Sequence, residues 1–169
     1  MTPRATTLRV ASATVSWKLM AHQVYGPRLD DAARDDLPNI DTSGATLPAP
    51  IVVVDDDADV RAVTRRTLEE FGYQVVEAAD GVDAIGAVRE RRGRVALVLT
   101  DVVMWRMGGA ELSACLSSLY PGTPLLFMSG YREDLLRKQG LVPVGGAFVA
   151  KPFDPGALAL RVRKIIGGH

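Results

Sequence analysis

Acids, a serine and a lysine follow four short apolar runs in this sequence. The runs have apolar residues at successive positions, which is typical of strands that are buried on both faces. The polar residues that follow them are Asp55, Asp56 and Asp57, then Asp101, then Ser129, and last Lys151. Two carboxylates about 4 Å apart repel each other by roughly 4 kcal/mol at an effective dielectric near 20. If the fold brings these acids together, they need a cation.

The residue types indicate which cation and which chemistry. Oxygen ligands select a hard ion, and a few carboxylates that leave room for water and phosphate favour Mg²⁺ over Ca²⁺. Lys151 can neutralise one phosphoryl oxygen, and the Ser129 hydroxyl can donate to another. Asp101 is then a candidate nucleophile that forms an aspartyl-phosphate. No glycine-rich turn follows the first strand, which disfavours dinucleotide binding.

The elements that position these residues alternate regularly from Ile51 onward. Amphipathic stretches at helical spacing follow the strands, and this alternation is typical of a parallel sheet flanked by helices. The predicted strands are Ile51 to Val54, Gln74 to Glu77, Val95 to Thr100, Leu125 to Met128 and Ala147 to Ala150. The predicted helices carry apolar stripes from Val60 to Phe71, Ala84 to Val88, Leu112 to Leu119 and Leu158 to Ile166, with a short polar helix from Arg132 to Gln139. We therefore predict an α/β fold, a doubly wound, flavodoxin-like (βα)5 sandwich with a parallel five-stranded sheet in the order 2-1-3-4-5. In such a sheet the ligand lies beyond the carboxyl ends of the strands.

Composition limits the remaining possibilities. Twenty basic residues balance twenty acidic ones, so net charge gives no reason to expect binding to nucleic acid or to a membrane surface. The apolar runs are too short to span a membrane, and the single cysteine, Cys115, on an apolar helix stripe, is predicted to be a buried hydrophobic side chain. We expect a cytoplasmic protein. Residues 1–49 show no sustained period and are predicted to be an irregular, disordered arm and linker, with one domain over residues 50–169.

Four motifs in order resemble the receiver domain of two-component response regulators. They are Val-Val-Val-Asp-Asp-Asp at 52–57, Asp-Val-Val-Met at 101–104 with Met107 and Gly109, Met-Ser-Gly at 128–130, and Lys-Pro-Phe at 151–153. The resemblance covers about Ile51 to Ile166. The Ser-Gly-Tyr run is more similar to receivers of hybrid sensor kinases than to those of transcriptional regulators.

The resemblance implies a role for each matching residue. Asp101 would accept a phosphoryl group from the phosphohistidine of a sensor histidine kinase or a histidine phosphotransfer protein. Mg²⁺ would be bound by Asp56, Asp101 and the main-chain carbonyl of Val103, and by Asp55 through water. Ser129 and Lys151 would hold the phosphoryl group, and Phe148 would be the switch aromatic that turns inward and remodels the face formed by the fourth helix, the fifth strand and the fifth helix. Such a protein assists its own phosphorylation and dephosphorylation and is not a turnover enzyme.

The sequence also departs from the family pattern. Trp105 stands where receivers usually carry proline, which leaves the rigidity of that loop open. Val103 and Tyr131 flank the path of the hydrolytic water in this family, and their bulk predicts slow self-dephosphorylation.

Two other functions stay open beside this one. An aspartate-nucleophile, Mg²⁺-dependent phosphatase uses similar residues, but it usually places a second acid two residues after the nucleophile, where this chain has Val103. A docking module that is not phosphorylated is the other. Since one helix follows Lys-Pro-Phe, we expect a stand-alone receiver that signals by contact with a downstream protein.

Overall fold

The computed structural model describes residues 48–168. The predicted arm and linker therefore lie outside the described residues, apart from the last positions before the first strand. All the strands and helices described below lie between Ile51 and Ile166.

Five parallel strands form one sheet in the order β2-β1-β3-β4-β5. The strands are β1 Ile51–Val54, β2 Val75–Ala78, β3 Leu97–Asp101, β4 Leu125–Ser129 and β5 Ala147–Ala150. Both the fold class and the strand order confirm the prediction. β3 begins later than predicted because β1 begins at Ile51, whose partner in β3 is Leu97. It ends later because Asp101 pairs with Met128 of β4.

A helix follows each strand. The helices are α1 Ala58–Glu70, α2 Gly81–Glu90, α3 Gly109–Leu119, α4 Glu133–Lys138 and α5 Pro155–Ile166. Three of them are preceded by a capping aspartate whose side chain accepts from main-chain N–H groups of the first turn, namely Asp57, Asp80 and Asp154. These carboxylates satisfy donors that the start of a helix leaves unpaired, which fixes where each helix begins.

The core lies on both faces of the sheet. Alternate side chains of a strand point to opposite faces. Accordingly, Leu126 and Met128 of β4 pack with Leu68 of α1 and Leu158 of α5, whereas Phe127 packs with Leu136 of α4. The sheet is therefore covered on each side, and its carboxyl edge is the open place for a site.

The predicted buried face of α1, which includes Thr64 and Thr67, is confirmed in part. Thr64, Thr67 and Leu68 are buried as predicted, whereas Val63 and Phe71 are more than half exposed, so the prediction is wrong for those two. The Thr64 hydroxyl donates to the Val60 carbonyl at 2.8 Å, so burial leaves no unpaired donor there. A threonine that is bonded within its own helix can face the sheet like an apolar residue.

Candidate functional site

The predicted acids meet at the carboxyl edge of the sheet. One oxygen from each of Asp55, Asp56 and Asp101 lies within 4.8 Å of the others. Asp55 and Asp56 follow β1, and Asp101 ends β3, the neighbouring strand. A set of three carboxylates with no nitrogen or sulfur donor fits a hard divalent cation such as Mg²⁺.

Asp55 is the most buried acid of the site, with 1% of its surface exposed. Its Oδ1 accepts a hydrogen bond from the Asp57 N–H at 2.9 Å, and its Oδ2 lies 2.6 Å from Lys151 Nζ. The Asp55 carbonyl accepts from the Arg61 guanidinium at 2.7 Å. A buried carboxylate requires this kind of compensation.

Asp101 is less constrained than Asp55. Its Oδ1 accepts from the Val102 N–H at 2.9 Å and lies 3.5 Å from Lys151 Nζ. Within residues 48–168, the structure gives Oδ2 of Asp101 no hydrogen-bond donor. Burial raises the pKa of Asp101 above its ordinary value; Lys151 opposes the shift, and Asp55 adds to it. A carboxylate with one bonded and one open oxygen, beside a lysine, can act as a nucleophile.

The other two acids have separate contacts. Asp56 is exposed, and its Oδ2 accepts a hydrogen bond from the Trp105 main-chain N–H at 3.2 Å. Asp57 caps α1 through the Asp59 and Val60 N–H groups, at 2.9 and 3.1 Å. The acidic triplet therefore divides into two site residues and one structural cap.

Ser129 and Lys151 come from the ends of the next two strands. Ser129 is buried, and its Oγ accepts from the Tyr131 N–H at 3.2 Å, a contact within its own loop and not with Asp101. The Ser129 carbonyl accepts from the Lys151 N–H at 2.8 Å, which holds the two strand ends together. The peptide bond between Lys151 and Pro152 is cis.

Phe148 lies away from these polar groups. It is 9% exposed and packs with Val102, Phe127, Leu136 and Val142. The side chain that the sequence suggests as an inward-turning switch is thus already buried in the state described. Cys115 is also buried, as predicted.

Arg61 supports the site but belongs to none of the four motifs. Its guanidinium joins the Asp55 carbonyl to Glu77 of β2, where Nε lies 3.3 Å from the carboxylate. The spacing contains a signal for it, because a residue in the first turn of the helix after β1 is well placed to reach back to the strand end. The spacing therefore indicates that a cation in that turn can support the site.

The comparisons with known proteins agree with this geometry. The model of the response regulator receiver domain matches residues 51–163. The chain belongs to the response regulator receiver family. Members of this family are the phosphoacceptor domains of two-component systems, and the family predicted from the four motifs is confirmed.

The curated relatives of this receiver are proteins of several kinds. It is 34% identical to the sensor kinase CckA of Brucella abortus over 155 residues, which are 85% of this chain and 16% of CckA. It is 28% identical to the receiver protein CpdR of the same organism, covering 69% of this chain and 95% of CpdR. It spans about half the length of the transcriptional regulators that it matches, for example 51% of YbdJ of Bacillus subtilis, to which it is 32% identical.

Solved structures show the same fold. The receiver domain of the hybrid histidine kinase CckA is 33% identical with a TM-score of 0.59, and the alignment covers 70% of this chain and 99% of that domain. The chemotaxis protein CheY4 of Vibrio cholerae is 29% identical with a TM-score of 0.62, over 70% of this chain and 99% of CheY4.

In the part of this chain between residues 48 and 168, no helix is long and apolar enough to cross a membrane.

Proposed function

We propose that this receiver is the phosphoacceptor of a two-component or phosphorelay pathway, and that Asp101 carries the phosphoryl group. The donor is the phosphohistidine of a sensor histidine kinase or a histidine phosphotransfer protein, and the reaction takes place in the cytoplasm. The observation that carries the proposal is the convergence of Asp55, Asp56 and Asp101 within 4.8 Å, with Lys151 Nζ 3.5 Å from Asp101 Oδ1.

The side chains support an in-line displacement at phosphorus. An oxygen of the Asp101 carboxylate forms a bond to phosphorus while the bond between phosphorus and the histidine nitrogen breaks, and the imidazole leaves with the electron pair. Lys151 and Ser129 donate to phosphoryl oxygens, which places positive charge and a hydroxyl where negative charge is transferred. A single transfer to Asp101 completes the reaction, so the domain is a stoichiometric acceptor and not a turnover enzyme.

The acidic residues are suited to bind a divalent ion. When bound, Mg²⁺ would shield the charge of the incoming phosphoryl group. Asp56, Asp101 and the Val103 carbonyl would ligate it directly, and Asp55 would do so through water. Since Asp55 already holds the Lys151 ammonium, an indirect role suits it better than a direct one.

The output of the switch is a change in protein contacts. The phosphoryl group carries about −1.5 to −2 charges, which replace the single negative charge of the Asp101 carboxylate, and it draws the Ser129 hydroxyl and the Lys151 ammonium toward it. Ser129 would then give up its bond with the Tyr131 N–H, which links the site to the loop before α4. Since Phe148 packs against Leu136 of α4, the face formed by α4, β5 and α5 is where a downstream protein target would read the change, without nucleic acid or membrane as partner.

Labelling by a small phosphodonor tests this function. Wild type, Asp101→Asn and Asp59→Asn are each incubated with acetyl phosphate and Mg²⁺ and weighed intact. Asp59 is an exposed acid of α1, so it is the matched control. We expect about one phosphoryl group on wild type and on Asp59→Asn, and none on Asp101→Asn. Equal labelling of Asp101→Asn would refute the assignment, and steady turnover of a phosphate ester would favour an aspartate-nucleophile phosphatase.

A further inference from the structure

Asp56 is held by a main-chain contact that a proline could not make. The Trp105 N–H donates to Asp56 Oδ2 at 3.2 Å. Trp105 stands where the family usually has proline, and proline has no N–H. The position of the loop of residues 102–108, here termed the nucleophile loop, therefore bears directly on the orientation of Asp56.

The next residue anchors this loop to the start of α2. Arg106 Nε lies 3.1 Å from Asp80 Oδ2, and one of its terminal nitrogens lies 3.7 Å from Asp83 Oδ1. Asp80 is buried, and its other oxygen caps α2 by accepting from the Val82 and Asp83 N–H groups at 2.8 and 3.0 Å. The carboxylate that Arg106 contacts is thus fixed by the helix and cannot follow a moving loop.

Two further features indicate that contacts hold the nucleophile loop in this position. Arg106 has a φ of +66°, which is unfavourable for a residue with a Cβ, so other contacts must stabilise it. The Met107 carbonyl accepts from the Gly81 N–H at 3.1 Å. A Cβ on Gly81 would lie 2.5 Å from Met107 Cγ, so a larger residue there would displace the Met107 side chain.

We propose that Arg106 is a positioning residue for the metal site, because it anchors the nucleophile loop on Asp80 of α2 and so holds the Trp105 N–H against Asp56. The ion pair supplies the rigidity that proline usually gives this loop. This inference rests on the proposed function, since it takes Asp56 as a ligand of Mg²⁺. It assigns a task to Arg106, which is not one of the residues of the four motifs.

The test compares three variants of the full chain by amide NMR. Arg106→Asn removes the cation, and asparagine tolerates a positive φ better than most residues do. Arg106→Lys keeps the cation. Arg92→Asn is the matched control, because Arg92 is another exposed arginine with a positive φ, +53°, and it lies after the end of α2. Titration with MgCl₂, followed at the Trp105 main-chain amide, gives the ion affinity, and hydrogen exchange at the Gly81 amide reports the docking of the loop.

We expect Arg106→Asn to weaken Mg²⁺ binding about tenfold, at the low end of the effect of groups that orient metal ligands. Exchange at Gly81 should become at least about tenfold faster, and Arg106→Lys should restore both values to within roughly threefold of wild type. The phosphorylation rate of Arg106→Asn should recover at saturating Mg²⁺, which a general loss of structure would not allow.

Two results would overturn the inference in distinguishable ways. If wild type binds Mg²⁺ but Arg106→Asn behaves like Arg92→Asn in both affinity and Gly81 exchange, the anchor is wrong and the proposed function stands. If wild type itself binds no Mg²⁺, both proposals fail.

Discussion

The ammonium of Lys151 lies 2.6 Å from Asp55 Oδ2 and thus closer to this buried acid than to Asp101, which is 3.5 Å away. The ion pair joins the ends of β1 and β5, which are not neighbours in the sheet. In the state described, the lysine therefore compensates the charge of Asp55. To bind a phosphoryl group on Asp101, the Lys151 ammonium must share or leave its contact with Asp55. Phosphorylation of Asp101 would therefore weaken the ion pair that compensates the buried Asp55 carboxylate.

This pairing predicts that Lys151→Met is strongly destabilising. The substitution leaves the Asp55 carboxylate buried without its cation, and breaking such a pair costs about 3 kcal/mol. Urea denaturation without Mg²⁺ should show a loss of that order in the free energy of unfolding. Lys164→Met, at an exposed position of α5, is the control and should change stability by less than about 0.5 kcal/mol. A loss as small as that of the control would show that Asp55 does not depend on Lys151.

Gly109→Ala should disturb the nucleophile itself. A Cβ at Gly109 would lie 2.6 Å from the Asp101 carbonyl oxygen and 3.2 Å from Val102 Cα, so main-chain atoms must move. Overpacking of this kind costs about 1–3 kcal/mol. We expect that loss in thermal or urea unfolding, together with slower labelling by acetyl phosphate.

The matched control for Gly109 is Gly86→Ala. Gly86 lies inside α2, and a Cβ there meets no atom within 4 Å. Alanine should stabilise this helix by up to about 1 kcal/mol and leave labelling unchanged. Equal effects of the two substitutions would contradict the close packing of Gly109 against Asp101.

Much of the site could be predicted because strand ends are easy to locate in a parallel sheet. The fold rule places whatever follows β1, β3, β4 and β5 at one edge, and the residues there are those of the predicted site. Helix faces were harder to predict. Val63 and Phe71 share a side of α1 with Thr64 and Leu68, but both are more than half exposed, because spacing shows which residues share a side of a helix and not how much of that side its neighbours cover.

Contacts between distant loops could not be predicted from the sequence for a different reason. The pair of Arg106 and Asp80 depends on a positive φ at Arg106 and on the approach of Met107 to Gly81. Neither property follows from residue type or spacing. The sequence showed only that proline is replaced by Trp105 and left the stiffness of the loop open, whereas the structure supplies contacts that hold it.

The Cys115 thiol should react slowly with reagents in the folded protein. It is buried on α3, and burial, with a smaller contribution from Glu111, raises its pKa, so the reactive thiolate is scarce near neutral pH. We expect reaction with an aromatic disulfide reagent at pH 8 to be at least about 100-fold slower in the native protein than in urea. Because the chain has one cysteine, the signal needs no correction for other thiols. Comparable rates in both conditions would mean that α3 opens readily.

The phosphorylated form should hydrolyse slowly because bulky side chains occupy two positions that flank the path of the hydrolytic water in receiver domains. Val103 follows Val102, whose N–H bonds to Asp101 Oδ1, and Tyr131 is held by the bond from its own N–H to Ser129 Oγ. Both residues are exposed, by 49% and 65%, and their positions are those that flank the path of the hydrolytic water in receiver domains. Apolar bodies in that place keep water from the acyl phosphate.

Release of phosphate from purified, phosphorylated protein measures this directly. Val103→Ala and Tyr131→Ala should each speed hydrolysis by about threefold to tenfold, because each opens one side of the path for water. Val144→Ala is the matched control for the valine, since Val144 is 98% exposed in the loop between α4 and β5 and has no part in the site. A wild-type half-life of only about seconds, or an equal acceleration by Val144→Ala, would show that these two side chains do not control access of water to Asp101.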